Sequence, residues 1–129
     1  MKRSELVSLA LEARENSYSP YSGFKVGAAL LTKSGKVYKG CNIENSAFSP
    51  TNCAERTAVF SAVADGEKDF SAIAIVGGAD EINDFCPPCG VCRQVLSEFC
   101  APDFEINLFN GEEIKTYTLG ELLPLSFKL

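Results

Sequence analysis

The run Phe70-Ser71-Ala72-Ile73-Ala74-Ile75-Val76-Gly77 constrains this chain more than any other segment. It is almost unbroken in apolar character and includes Ile73, Ile75 and Val76, the pattern of a strand buried on both faces. Such a strand needs helices above and below its sheet. The flanking segments offer them. Leu6, Leu9, Ala10 and Ala13 keep helical spacing, so Ser4 to Asn16 is expected to be an amphipathic helix with Ser4 near its N-cap. Cys53 to Ala64 carries an apolar face of Ala58, Val59, Ala62 and Val63 and is stopped by Gly66. Cys89 to Phe99 forms a further helix after Pro87-Pro88, and Thr118 to Leu123 a last short one. Tyr18 to Gly23 is a loop punctuated by Pro20 and Gly23. Val26–Leu31 and Lys36–Ile43 read as a hairpin, and Phe104–Phe109 pairs with Glu113–Tyr117 across Asn110-Gly111. The expected fold is α/β: one domain over residues 1–129, three layers in α/β/α order, with a central five-stranded mixed sheet.

Composition narrows the function. The chain has 129 residues, 46% hydrophobic and 22% charged, as in an ordinary globular domain. No apolar run approaches the ~20 residues that cross a bilayer. Met1 to Asn16 lacks the apolar stretch and cleavage site of a signal peptide, so a cytoplasmic location and no membrane partner are expected. Twelve basic residues face 17 acidic ones, a net of -5. The basic residues are scattered, which disfavours a nucleic-acid partner. There is no histidine at all. That removes Ser-His and Cys-His dyads, a His proton shuttle and any His-bearing metal site.

Six cysteines remain, at 41, 53, 86, 89, 92 and 100. Their uneven spacing, with three crowded at two-residue gaps, fits metal ligation better than a disulfide framework. Cys53 and Cys89 each open an expected helix, where free N–H groups and the helix dipole favour a thiolate. Cys89 and Cys92 are three apart, share one helix face and can both reach one ion, with Cys53 as the third sulfur. Glu55 converges with Cys53 only if the metal lies off the end of the helix. It then stands beside the metal without ligating it, placed for general acid/base work on water activated there. Three protein ligands with an open fourth position is the pattern of a catalytic zinc. Three thiolates overcompensate a dication, so Arg56 is expected to hydrogen-bond the sulfurs, and Gln94 to donate in the same way. Cys41 and Cys100 read as small buried hydrophobes.

Cys53-Ala54-Glu55-Arg56 together with Pro88-Cys89-Gly90-Val91-Cys92-Arg93-Gln94 resembles the zinc-dependent cytidine deaminase family in its short, three-cysteine, homotetrameric form. The resemblance extends through Pro20-Tyr21-Ser22-Gly23-Phe24-Lys25-Val26-Gly27-Ala28-Ala29 and Gly40-Cys41-Asn42-Ile43-Glu44-Asn45. It implies one Zn2+ per subunit on Cys53, Cys89 and Cys92, and Glu55 as the proton carrier for hydrolytic deamination of cytidine and 2′-deoxycytidine in pyrimidine salvage. Asn42 and Glu44 match positions that bind a ribose hydroxyl, and Phe24 an aromatic beside the nucleoside. The Ala54 N–H and the Pro88 carbonyl would address the base edge. Phe127 resembles the aromatic that enters a neighbouring subunit's site.

The family motif leaves Cys86 outside, and Pro87-Pro88 favours a helix that begins near Cys89. A structural zinc module with Cys86 as fourth ligand is the rival from another class. A redox role for Cys89-x-x-Cys92 would leave Cys53 and Glu55 without a task. Among deaminases, the alternatives act on aminoacyl-nucleoside antibiotics, nucleotides or tRNA, and Arg93 is open to a surface or subunit-interface role.

Overall fold

The computed structural model describes all 129 residues. Its elements run α1 (Arg3–Arg14), β1 (Lys25–Thr32), β2 (Val37–Cys41), α2 (Ala54–Ala64), β3 (Phe70–Gly78), α3 (Gly90–Phe99), β4 (Glu105–Phe109), β5 (Ile114–Thr118) and α4 (Leu119–Leu122). The sheet has the order β2-β1-β3-β4-β5. Only β3 and β4 are parallel; the other neighbours are antiparallel. The expected three layers and five mixed strands are therefore present.

The alternation along the central strands explains the layering. Ile73 and Ile75 of β3, with Ala28 and Leu30 of β1, join Ala54, Ala58, Val59 and Ala62 of α2 and Leu96 of α3 in one core. The intervening Ala72, Ala74, Val76 and Ala29 point the other way and meet Leu6, Val7 and Ala10 of α1. Both faces are buried, as the apolar run requires. On the α1 side the strand residues are mostly alanines, so that helix sits close. A Cβ on Gly27 would lie 2.1 Å from the Ala10 carbonyl oxygen. On the opposite face a Cβ on Gly40 would lie 2.4 Å from the Ala54 carbonyl oxygen and 2.5 Å from the Ala58 nitrogen. Each glycine is what permits a helix to rest on the sheet.

Several boundaries differ from expectation. α1 starts after Lys2, and Ser4 lies inside the first turn. Glu5 reaches back to accept from the Lys2 N–H at 3.1 Å, which satisfies that end without a hydroxyl cap. β2 stops at Cys41, before the expected Ile43. Ile43 instead makes isolated bridges to Tyr18 and Asn52, so Asn42 is free to turn its side chain into the neighbouring loop. The turn at Asn110-Gly111 is as expected: Gly111 has φ +97°, and the Asn110 side chain accepts from the Glu112 and Glu113 N–H groups. Cys100 is buried in the core, but Cys41, at a strand end, is only half-buried.

Candidate active site

Two helix starts converge beside the sheet. Cys53 precedes α2 and Cys89 precedes α3, both in extended backbone conformation at the N-cap. Cys92 lies in the first turn of α3 and is fully buried. Its backbone N–H points at the Cys89 sulfur at 3.5 Å, so a sulfur caps the helix where an oxygen usually does. The three sulfurs lie within 4.8 Å of one another, and Cys53 Sγ and Cys89 Sγ are 3.8 Å apart. Four ligands placed tetrahedrally at the usual Zn–S length of ~2.3 Å would stand ~3.8 Å from each other. The donor set therefore fits zinc in both chemistry and spacing.

Charge is already organised for it. The Cys53 thiol is pulled down to about 5, first by a hydrogen bond from Cys92 and then by Arg56 and Cys89, against the effect of burial. Cys92 moves the opposite way, because it is the donor in that bond and is buried. Metal binding to such a cluster displaces thiol protons. Arg56 Nη2 donates to Cys53 Sγ at 3.2 Å, in the role expected for it. Its Nε is buried and has no partner within the chain.

Glu55 is the second residue of α2 and is 4% exposed. Burial pushes its carboxyl up to about 7, and the charge of Cys53 acts in the same direction. A carboxyl in that range can both accept and give up a proton near neutral pH. Glu55 lies close enough to the cluster to interact with both Cys53 and Cys92.

Cys86 stands outside the three-sulfur group. It packs under Gly77, where a Cβ would come within 2.7 Å of its sulfur and 3.1 Å of Phe24 Cε2. Burial, with the charges of Glu55 and Cys53 behind it, pushes its thiol up to about 12. Cys86 and Phe24 both pack against Gly77.

The remaining expected site residues fall into two groups. Asn42, Glu44 and Phe24 form one network with two residues that the sequence reading did not single out, Ser17 and Ser22. Asn42 Oδ1 accepts from the Val26 N–H at 2.9 Å and from the Ser17 hydroxyl, and its Nδ2 donates to the Phe24 carbonyl at 2.8 Å. Glu44 Oε1 accepts from the N–H groups of Tyr21 (2.9 Å) and Ser22 (3.1 Å), and Oε2 accepts from the Ser22 hydroxyl. These bonds, led by the hydroxyl, hold the Glu44 carboxyl below its ordinary range. The earlier signals for Ser22 were its place in the Tyr18–Gly23 loop and in the Pro20–Ala29 segment of the resemblance.

The second group lies along α3. The buried Pro88 carbonyl accepts from Arg93 Nε at 2.7 Å, and Arg93 Nη1 donates to the Leu122 carbonyl at 2.7 Å. Arg93 therefore ties the lead-in to Cys89 to the end of α4. Gln94 does not reach the sulfurs; its amide donates to the Phe127 carbonyl at 3.1 Å. Phe127 is 67% exposed. The Ala54 backbone lies at the first position of α2, next to both Cys53 and Glu55.

Residues 1–107 match the family described as the cytidine and deoxycytidylate deaminase zinc-binding region. The cytidine deaminase of Halalkalibacterium halodurans is 48% identical over 128 residues, covering 98% of this chain and 95% of its own length. A blasticidin-S deaminase of Bacillus cereus is 37% identical over 128 residues, covering 95% of this chain and 90% of its own. A crystal structure of cytidine deaminase from Burkholderia pseudomallei superposes with a TM-score of 0.91 at 48% identity, covering 98% of this chain and all of that one. With three sulfurs spaced for one zinc, a buried glutamate beside them and matches that span nearly its whole length, the chain belongs to the zinc-dependent cytidine deaminase family.

Proposed function

We propose that this protein hydrolyses cytidine and 2′-deoxycytidine to uridine and 2′-deoxyuridine with release of ammonia. The observation that carries the reading is the buried Glu55 carboxyl beside a triangle of three sulfurs with no fourth protein sulfur in it. Cys53, Cys89 and Cys92 would hold one zinc ion per subunit, and the ion would supply Lewis acidity to the reaction. Glu55 takes a proton from the attacking water and delivers it to N3 of the pyrimidine as oxygen bonds to C4. A second proton passes through the same carboxylate to the amine, and the C4–N bond breaks to give ammonia. The Ala54 N–H and the Pro88 carbonyl meet the base edge, and Arg93 fixes the direction of that carbonyl. Arg56 offsets the excess negative charge of three thiolates.

Asn42 and Glu44 bind a sugar hydroxyl, and a count of their bonds supports this. An amide oxygen accepts two bonds and its NH2 donates two, while a carboxylate has about four acceptor sites. Asn42 has one N–H left and Glu44 one acceptor site on Oε2. One donor and one acceptor is the complement of one hydroxyl. Phe24 packs beside the nucleoside.

A homotetramer with shared sites accounts for aromatics a monomer would leave in water: Tyr21 and Phe48 stack edge-to-face at 6.1 Å while 54% and 71% exposed. Phe127 then reaches a neighbour's site. No helix is long and apolar enough to cross a membrane, which suits a cytoplasmic enzyme of pyrimidine salvage acting on free nucleosides rather than nucleic acid. The test follows ultraviolet absorbance with cytidine, deoxycytidine, CMP and cytosine in parallel. Wild type should consume the two nucleosides and Glu55→Ala none. Activity retained in Glu55→Ala, or confined to CMP, overturns the reading.

A further inference from the structure

The hydroxyl of Ser22 occupies an unusual junction. It donates to Glu44 Oε2 and at the same time accepts from the Phe24 N–H at 3.0 Å. Its own backbone N–H donates to the other oxygen of the same carboxylate. The Phe24 carbonyl is meanwhile held by Asn42. Phe24 is thus gripped on its N–H by Ser22 and on its carbonyl by Asn42, the two points from which the sugar pocket is built. Gly23, between them, has φ +69°, the left-handed turn that brings residue 22 back towards residue 24 and lets one hydroxyl serve both. Ser22, Phe24 and the neighbouring Tyr21 are all exposed in the chain, so this order does not come from burial in a core. It comes from the bonds.

We propose that Ser22 is a positioning residue for the sugar pocket: its hydroxyl fixes Glu44 so that one acceptor site on Oε2 is left for a single nucleoside hydroxyl, and registers that site against Phe24. The inference rests on the nucleoside reading above. With the hydroxyl gone, Oε2 has two open sites and no tether. The carboxylate is then held only through Oε1, by the Tyr21 and Ser22 N–H groups, and Oε2 can swing about the last torsion, whose well is broad for a glutamate. The low Glu44 carboxyl range has the same hydroxyl as its first cause.

The test measures kcat and KM for wild type, Ser22→Ala, Ser22→Thr and Glu44→Gln on cytidine, 2′-deoxycytidine, 3′-deoxycytidine and 2′,3′-dideoxycytidine. Ser22→Ala should raise KM for cytidine on the order of tenfold with kcat within about twofold, the loss of one charge-assisted hydrogen bond. That penalty should shrink to about twofold or less on one of the two monodeoxy nucleosides and on the dideoxynucleoside, where Glu44 has no hydroxyl to hold. Ser22→Thr, which keeps the hydroxyl, should restore the wild-type KM. An equal penalty on cytidine and dideoxycytidine means that Ser22 only supports the loop, and no penalty on cytidine means that it does nothing for the pocket; either overturns the proposal. Failure of the underlying reading looks different: wild type would not deaminate cytidine, or Glu44→Gln would leave its KM unchanged.

Discussion

Gly40→Ala should damage the metal site from the far side of a helix. Gly40 lies on β2, and the Cβ it would gain falls 2.4 Å from the Ala54 carbonyl oxygen and 2.5 Å from the Ala58 nitrogen. Ordinary contact begins near 3.4 Å, so α2 must retreat by about 1 Å. Both obstacles are backbone, and no rotamer change can relieve them. Overpacking of a well-filled core costs roughly 1–3 kcal/mol, and a rigid obstacle puts this case at about 3. At a urea slope of about 2 kcal/mol per M, the midpoint should fall by about 1.5 M. The same retreat carries Cys53 and Glu55, which ride on the first turn of α2, away from Cys89 and Cys92 on α3. Gly27→Ala is the control. Its Cβ would strike Ala10 and Arg14 of α1, on the opposite face of the sheet, and should cost comparable stability without moving a sulfur. Competition with a zinc-binding dye then separates the two variants. Gly40→Ala should lose zinc on the order of tenfold more readily than Gly27→Ala at matched folded fraction. Equal zinc retention in the two variants refutes the argument that the close approach of β2 and α2 sets the sulfur geometry.

Arg56→Ala should slow turnover on the order of tenfold while most of the zinc stays bound, because one donor to Cys53 is lost but all three sulfurs remain; metal analysis beside a rate measurement checks it, and an unchanged rate counts against a role for the guanidinium. The Glu44 carboxyl lies below its ordinary value in the folded chain, so its contribution to order in the 19–24 loop is present above the unfolded value of ~4.3 and is lost as pH falls through the folded one. Limited proteolysis between pH 6 and 3 should show that loop opening before the rest of the chain in wild type, and no such early step in Glu44→Gln.

The metal half of the site was readable from the chain because its geometry is local. Cys89 and Cys92 are three apart, Arg56 is three after Cys53, and in each pair one helix turn brings the side chains to the same side. Gln94 shows the same rule working against the expectation placed on it. It follows buried Cys92 by two residues, about 200° around the helix axis, which sends it outward to the Phe127 carbonyl instead of to the sulfurs. The sugar half follows no such rule. Asn42 and Glu44 find their partners at Ser17 and Ser22, more than twenty residues earlier, across a loop whose path depends on where β2 ends.

The break in the β2 ladder is what joins the two halves. Had β2 continued to Ile43, as the hairpin reading expected, residues 42 and 44 would share one face of the sheet and 43 the other. Instead Ile43 bridges to Tyr18 on one side and Asn52 on the other. That single residue thereby anchors the loop bearing Ser22 and the segment that leads directly into Cys53. The Asn42–Glu44 network and Cys53 hang from the same bridge, so the distance between them is set by backbone pairing rather than by any side chain in either. On the proposed reading, in which helix starts meet the base and the loop meets the sugar, that one bridged residue fixes the span between them.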